Sequence, residues 1–315
     1  MSNYSLETAN TKFINQSFLD KIDQGMEKEA SAAMTAFVRQ KLREDGFTRK
    51  ILTPQMLTSA DLDRGLDDQP RKIVEKEPDS IAADLPLSGR AELRYFKTDR
   101  YEVTFSKISS RTFNKSKYEL ATYATDIRQV LQDNSVKDLQ FTEDSNFIAG
   151  LKTIATAYHG GIVNANSGFG IKSLMAAVNE LIKVKQKPAK ILMPWNLYLK
   201  LYSRPSSVVG SITANEHFNG AEMRQSYGFE IIPTNKLDLM SSDGGTTLGD
   251  MIAIFAPESY LGQFYSLQEP TVFLKTEQDM IEFTTYESVG VGIGNTNGFR
   301  LVKFDLSAST DVDAI

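Results

Sequence analysis

The residues able to do chemistry are few: among 315 residues there are two histidines, His159 and His217, and no cysteine. A thiolate nucleophile, a disulfide framework and any zinc site built on sulfur are excluded, and a serine–histidine mechanism has only two rings to draw on. His159-Gly160-Gly161 has the composition of an oxyanion-hole loop, yet no Gly-x-Ser-x-Gly elbow supplies a nucleophile, and the ring reads as a helix-end histidine beside a glycine cap. The acid–base candidates are Glu143 with Asp144, and Glu282 with Glu287, in a chain whose 40 acidic residues generate such pairs by number alone. Asp61 to Asp68 is acidic enough for calcium, but Leu66 and Lys72 stand where the loop code requires glycine and glutamate. The glycines from Gly290 to Gly298 follow a late strand and lack dinucleotide spacing. Trp195, Tyr198, Tyr202, Phe264 and Tyr265 are spaced as core aromatics more than as a ligand platform. No cofactor, no metal and no catalytic residue is expected.

The elements around these residues have the composition of a globular chain, 41% hydrophobic and 24% charged with net charge −5, which opposes a dedicated nucleic-acid binder. No basic leader and no run of about 18 apolar residues is present, so synthesis and residence in a cytoplasm are expected. The length predicts about two domains or one elaborated one. Met26, Ala30, Ala33 and Phe37, with Leu42 beyond, predict an amphipathic helix over residues 26 to 45, either a surface helix or an arm. Residues 47 to 89, with four prolines and little apolar periodicity, read as an irregular connector or arm, either disordered or a strap held against a partner.

Residues 91 to 97 and 101 to 106 alternate around Thr98-Asp99-Arg100 and predict a β-hairpin. From Arg90 to Lys117 the local charge is +5 against −10 for the remainder, so one copy's hairpin is attracted to another copy's body, unless its charges only solvate it. Helix is expected through Leu120, Ala124, Ile127 and Leu131, with a break at Asp133-Asn134, and again through Phe147, Leu151, Ile154 and Tyr158. A further helix spans residues 171 to 185, with Leu174, Val178, Leu181 and Ile182 inward, and a short one spans 195 to 202. Strands are expected at 190 to 193, 229 to 232, 251 to 255, 271 to 275 and 280 to 285, with a loop at 241 to 245. A final hairpin turning at Asn297-Gly298 has Gly290, Gly292 and Gly294 on one face of its first strand, bare of side chains and open to another backbone.

The order of these parts resembles the major capsid proteins of tailed bacteriophages. The likeness is carried by residues 71 to 80, by Asp126-Ile127-Arg128-Gln129-Val130-Leu131 with Ser135 to Asp138, and most strongly by Ile281 to Asn295, preceded by Phe255-Ala256-Pro257 and Leu261 to Tyr265. The resemblance implies an α+β, Hong-Kong-97-type capsid fold with an N-terminal arm (1–84), an extended loop (85–115), a peripheral domain with its spine helix (116–189 and 266–307), an axial domain (190–265) and a tail (308–315). It implies no enzyme but a shell protein that assembles as hexamers and pentamers of an icosahedral virion, built in the host cytoplasm around double-stranded DNA. Portal, scaffolding or decoration proteins are further partners, and a membrane is not. Inter-subunit contacts are expected at Arg94, Lys97, Arg100, Lys107, Arg111, Gly290, Gly292 and Gly294. Some relatives form lysine–asparagine cross-links; Lys97 or Lys107 with Asn295 or Asn297 offer the residue types, but no activating carboxylate is identified beside them and no cross-link is expected on this ground. No scaffolding-length region precedes the arm, so a fused one is expected to be absent or removed. An encapsulin-like compartment shell is the alternative, and an acid–base hydrolase using Glu282 or Asp144 is a third reading.

Overall fold

Asn10 accepts a hydrogen bond from the backbone N–H of Lys12 (3.1 Å) and caps α1 (Thr11–Asp23), whose Ile14, Phe18 and Ile22 form one buried stripe. This computed structural model describes residues 10–64, 69–76, 89, 99–122, 126–165, 168–202, 225–226, 229–242 and 249–306. Gly25, at φ 72°, turns the chain into α2 (Glu27–Asp45), the helix expected there. Its buried face is Ala30, Met34, Phe37, Val38 and Leu42, whereas Met26 and Ala33 stay half-exposed, a rotation set by the sheet that α2 covers.

Residues 47 to 56 are not a connector. α3 (Phe47–Ile51) buries Phe47, Ile51 and the following Leu52, and β1 (Pro54–Met56) joins a sheet. Five residues of helix and three of strand are too short to impose a period on the sequence. β2 (Asp63–Arg64), β3 (Pro70–Lys76) and β4 (Asp99–Thr104) form an antiparallel ribbon in which Lys76 stands opposite Asp99 and Arg71 opposite Thr104. The turn expected at Thr98-Asp99-Arg100 is therefore corrected: Asp99 and Arg100 are strand residues whose partner is β3, and residues 91 to 98 lie outside the described residues. Alternation identifies a strand but leaves its partner open, since pairing is decided by long-range contacts.

β5 (Ser106–Ser109) and β6 (Phe113–Ser116) lead into α4 (Lys117–Thr122) and α5 (Ile127–Leu131). Asp126 caps α5 by accepting from the backbone N–H of Arg128 (2.8 Å). The expected break at Asp133-Asn134 does not occur. Gln132–Val136 is a π-helical turn that passes directly into α6 (Lys137–Tyr158), with the Asn134 amide donating back to the Val130 carbonyl (2.8 Å). A π turn admits one extra residue without ending the helix, so polar residues that read as a breaker are absorbed. Gly160 (φ 72°) and Gly161 (φ 112°) then end it.

After β7 (Val163–Asn164), α7 (Ile171–Lys183) buries Leu174, Ala177, Val178 and Leu181, while Ile182 is 50% exposed, contrary to the inward position expected of it. β8 (Lys190–Pro194), α8 (Trp195–Tyr202), β9 (Gln225–Ser226), β10 (Phe229–Thr234) and β11 (Met251–Phe255) follow, then α9 (Glu258–Leu261), β12 (Gln263–Glu277), β13 (Met280–Gly292) and β14 (Phe299–Lys303).

Two sheets organise the body. The first runs β1-β12-β13-β5, with β6 also pairing with β13; the second runs β7-β14-β11-β8-β10-β9. Strands of the second alternate between two cores: Leu192, Ile232, Ala253 and Leu301 join the core that includes α6 and the first sheet, and Ile191, Ile231, Ile254 and Val302 join the core beneath α7 and α8. The terminal hairpin expected at Asn297-Gly298 is absent. β13 pairs with β12 and β14 with β11, so Thr296–Gly298 is a short 3-10 turn crossing between sheets, capped by the Asn295 side chain accepting from Asn297 N–H (3.0 Å). Of the loop expected at 241 to 245, residues 243 to 245 lie outside the described residues.

Candidate functional site

The densest concentration of chemically capable groups is a buried charge cluster where α3, α6 and β13 meet. The alternation that turns Ile281, Phe283, Thr285 and Val289 into the core also turns Glu287 inward, at 0% exposure. Consecutive Glu143 and Asp144 both fall on the wide inner face of α6 with Gln140 and Phe147. Arg49 on α3 bridges strand and helix: its Nε donates to Glu143 Oε2 (3.0 Å), and its Nη2 donates to Glu143 Oε1 and to Glu287 Oε2 (both 2.7 Å). Beside them Asp144 accepts from Thr48 N–H (3.0 Å), from Thr48 Oγ1 (2.6 Å) and from Lys236 Nζ (2.5 Å).

Burial pushes the Glu287 carboxyl up to about 8, with the neighbouring Glu143 anion adding to the effect and Arg49 opposing it. Glu143 is also raised, by burial first, despite its bonds to Arg49. Burial pulls the Arg49 guanidinium down, but its two carboxylate partners outweigh this and hold it above its ordinary value.

The two acid–base pairs legible in the sequence are thus recombined. Glu143 meets Glu287 through Arg49, whereas Glu282 sits on the other side of β13, 3.9 Å from Lys275. Sealed carboxylates tied to cations can brace elements but do not meet a substrate. Arg49 escaped the sequence reading; its signal was an arginine between the apolar Phe47 and Ile51, four residues apart.

The expected contact residues are distributed as follows. Arg94 and Lys97 lie outside the described residues. Arg100 pairs across the ribbon with Glu75 (2.8 Å), and Arg71 with Glu102 (3.0 Å), so much of the ribbon's positive charge is matched within it. Lys107 lies over the Tyr286 ring (4.2 Å), and Arg111 is exposed between β5 and β6. Gly290, Gly292 and Gly294 do admit a close approach, but from the same chain: a Cβ on Gly290 would meet Thr104 O at 2.9 Å, on Gly292 Val103 Cγ2 at 2.4 Å, and on Gly294 the Tyr101 hydroxyl at 2.7 Å. The bare strand face is the seat of the chain's own β4. The sequence carried the feature but not its occupant, because no local signal says which strand lies over it.

His159 caps α6, with its Nε2 2.6 Å from Thr296 O and 2.8 Å from Arg300 Nη1. Burial first, then Arg300, lowers its pKa. His217 lies outside the described residues. Tyr198, Phe264 and Tyr265 are buried core aromatics, whereas Trp195, stacked on Tyr198 at the start of α8, is 37% exposed, contrary to the core position expected of it, and the side chain of Tyr202 lies outside the described residues. Asp61 accepts from Thr58 N–H (3.0 Å) and Asp63 accepts from Ile73 N–H; among the described residues no group of three His, Cys, Asp or Glu is placed to hold a metal ion, and no helix is long and apolar enough to cross a membrane.

α2 is fastened where β12 shifts register between Ser266 and Thr271. Thr35 Oγ1 accepts from Val272 N–H (3.0 Å), Ser31 donates to Val272 O, and Arg39 Nε donates to Pro270 O (2.9 Å), so the helix satisfies backbone groups of β12 at and just beyond the irregular stretch.

The α+β body, with its long helix α6, its β3–β4 ribbon and N-terminal helices packed on the five-stranded sheet, has the Hong-Kong-97-type phage capsid fold. Solved structures share it. The capsid of a native GTA particle matches with TM-score 0.57 at 14% identity, covering 81% of this chain and 89% of that one. The mature capsid of bacteriophage PhiM1 matches with TM-score 0.55 at 8% identity (82% and 87%), and a virus-like particle from Pyrococcus furiosus with 0.51 at 15% (86% and 98%). No family model and no curated protein matches the sequence.

Proposed function

We propose that the chain is a major capsid protein, which assembles with copies of itself as hexamers and pentamers of an icosahedral phage head around double-stranded DNA. The observation that carries this reading is a likeness of fold to phage, GTA and virus-like-particle structures at 8–15% identity, spanning 76–86% of this chain and 85–98% of each of the neighbouring chains compared. At that divergence, what is retained is the three-dimensional arrangement of arm, ribbon, spine and sheets. Contacts and not catalysis are then the protein's work, carried out in the virion after assembly in the host cytoplasm. The domain division given above, with the arm as 1–84, the extended loop as 85–115 and the axial domain as 190–265, belongs to this proposal. In it Arg94, Lys97, Arg100, Lys107 and Arg111 face other subunits, and portal, scaffolding or decoration proteins and packaged DNA are partners. The encapsulin-like alternative is less favoured, since phage and GTA capsids predominate among the neighbours.

The test exploits the observed pairing of Lys76 with Asp99. Replacing residues 77–98 by an Asn-Gly turn keeps β3 and β4 paired while removing the reach beyond them. Negative-stain microscopy is expected to show closed shells for the intact chain and folded but unclosed subunits for the shortened one. Monomers only, under every assembly condition for the intact chain, would overturn the reading. Reversing Arg94 and Arg111 is expected to weaken assembly more at low salt than at high salt.

A further inference from the structure

We infer that the Arg49 cluster is a proton-operated clasp: one exchangeable proton sits on Glu287, and its release loosens the seam joining α3, α6 and β13 at the foot of the ribbon. The cluster holds three carboxylates, Glu143, Asp144 and Glu287, against two cations, Arg49 and Lys236. One negative charge is therefore in excess inside a site closed to water, where an uncompensated charge is costly. The three acids are not equally supported as anions. Asp144 accepts three hydrogen bonds, two of them from Thr48 and one from Lys236, and Glu143 is gripped through both oxygens by Arg49. Glu287 receives one bond, on Oε2, and its Oε1 is buried without a partner, which makes it the oxygen that carries the proton.

The remaining neighbours do not rebalance the site. On β12 the Phe264 ring lies beneath the Arg49 guanidinium (5.9 Å), Tyr265 is held neutral by burial, and Glu269 is paired with Arg39 of α2. On β5 Lys107 lies on the opposite side of the sheet, over Tyr286. The position of Glu287 gives the proton leverage. It stands opposite Ile108 of β5, which leads directly from ribbon strand β4, while its guanidinium partner belongs to the segment that ends the N-terminal helices. Ionisation puts two anions on one guanidinium and turns a brace between three elements into a repulsion.

The proton is read directly by difference infrared spectroscopy of the protonated carboxyl stretch in the purified subunit, alongside melting temperature as a function of pH. A protonated carboxyl is expected in the wild type at neutral pH, lost in a transition near pH 8, with local opening over residues 47–56, read by hydrogen exchange corrected for its intrinsic pH dependence, growing as pH rises toward that transition and levelling off above it. Glu287→Gln, which keeps the shape of the protonated group, is expected to lack both the band and the transition. Glu143→Gln, which removes the adjacent anion and does not depend on the first variant folding, is expected to move the transition down by about one pH unit. No protonated carboxyl in the wild type, the same transition in Glu287→Gln, or an unmoved transition in Glu143→Gln each overturns the clasp. These readings are made on the subunit, so a failure of the clasp and a failure of the shell reading are told apart.

Discussion

Val103 occupies the space that a side chain on Gly292 would need: a Cβ there would lie 2.4 Å from Val103 Cγ2. Tyr101, two residues earlier on β4, stands likewise over Gly294. The ribbon's inner face, Tyr101 and Val103, is thereby keyed to Gly292 at the end of β13 and to Gly294 just beyond it, while its outer face is laced by the Arg71–Glu102 and Arg100–Glu75 pairs.

Gly292→Ala is expected to destabilise by about 1–3 kcal/mol, the usual cost of overpacking. Hydrogen exchange should quicken over residues 99–104, and Val103→Ala in the same chain should recover part of the loss, because the two positions share one space. Additive losses in the double variant would contradict the keying.

Arg49→Met leaves Glu143 and Glu287 buried without their shared cation and is expected to cost about 3–5 kcal/mol. Arg49→Lys does not rescue, because an ammonium cannot grip one carboxylate through two nitrogens while reaching a second. Denaturant melts of both variants check this.

For Glu287 the linkage sign is definite. Its folded-state pKa, about 8, lies above the unfolded value of 4.5, so its contribution to stability is full below about pH 4.5 and is lost as pH rises to about 8. Between those limits the wild type should lose stability relative to Glu287→Gln, and above about pH 8 the difference should be constant. Chemical denaturation at several pH values measures it.

His159 works in the opposite sense. Burial and Arg300 hold its pKa below the ordinary histidine value, so its contribution is present above about pH 6.5 and is lost as pH falls, when the unfolded chain takes up a proton that the folded one resists. His159→Gln is expected to flatten the decline in melting temperature between about pH 7 and pH 5.

Thr35→Val strands the Val272 N–H beneath α2, with an expected cost of about 1–3 kcal/mol. The same substitution at the exposed Thr153 should change stability little, since that hydroxyl only returns to its own helix. Melting temperatures of the two variants make the comparison.

The sequence by itself determined much that depends on neighbours close along the chain. The stripe of α2, the inner face of α7 as far as Leu181, the end of α6 at Gly160-Gly161, and the alternation of β13 are local periodicities, legible because helix and strand repeat every 3.6 and 2 residues. It also marked the three glycines as a bare strand face, while Glu143 and Glu287 stood in it only as members of ordinary acidic pairs. Only the tertiary structure decided what each of these faces. β3 lies beside β4, β14 leaves the expected hairpin for another sheet, and Arg49 reaches Glu143 and Glu287 across 94 and 238 residues. Strand pairing and buried ion pairing are choices among many partners of similar local preference, settled by burial of the whole core. A sequence therefore declares that a strand face is bare, and the fold supplies the ribbon that covers it, just as the fold alone turns Glu143 and Glu287 inward and brings the arginine that holds them.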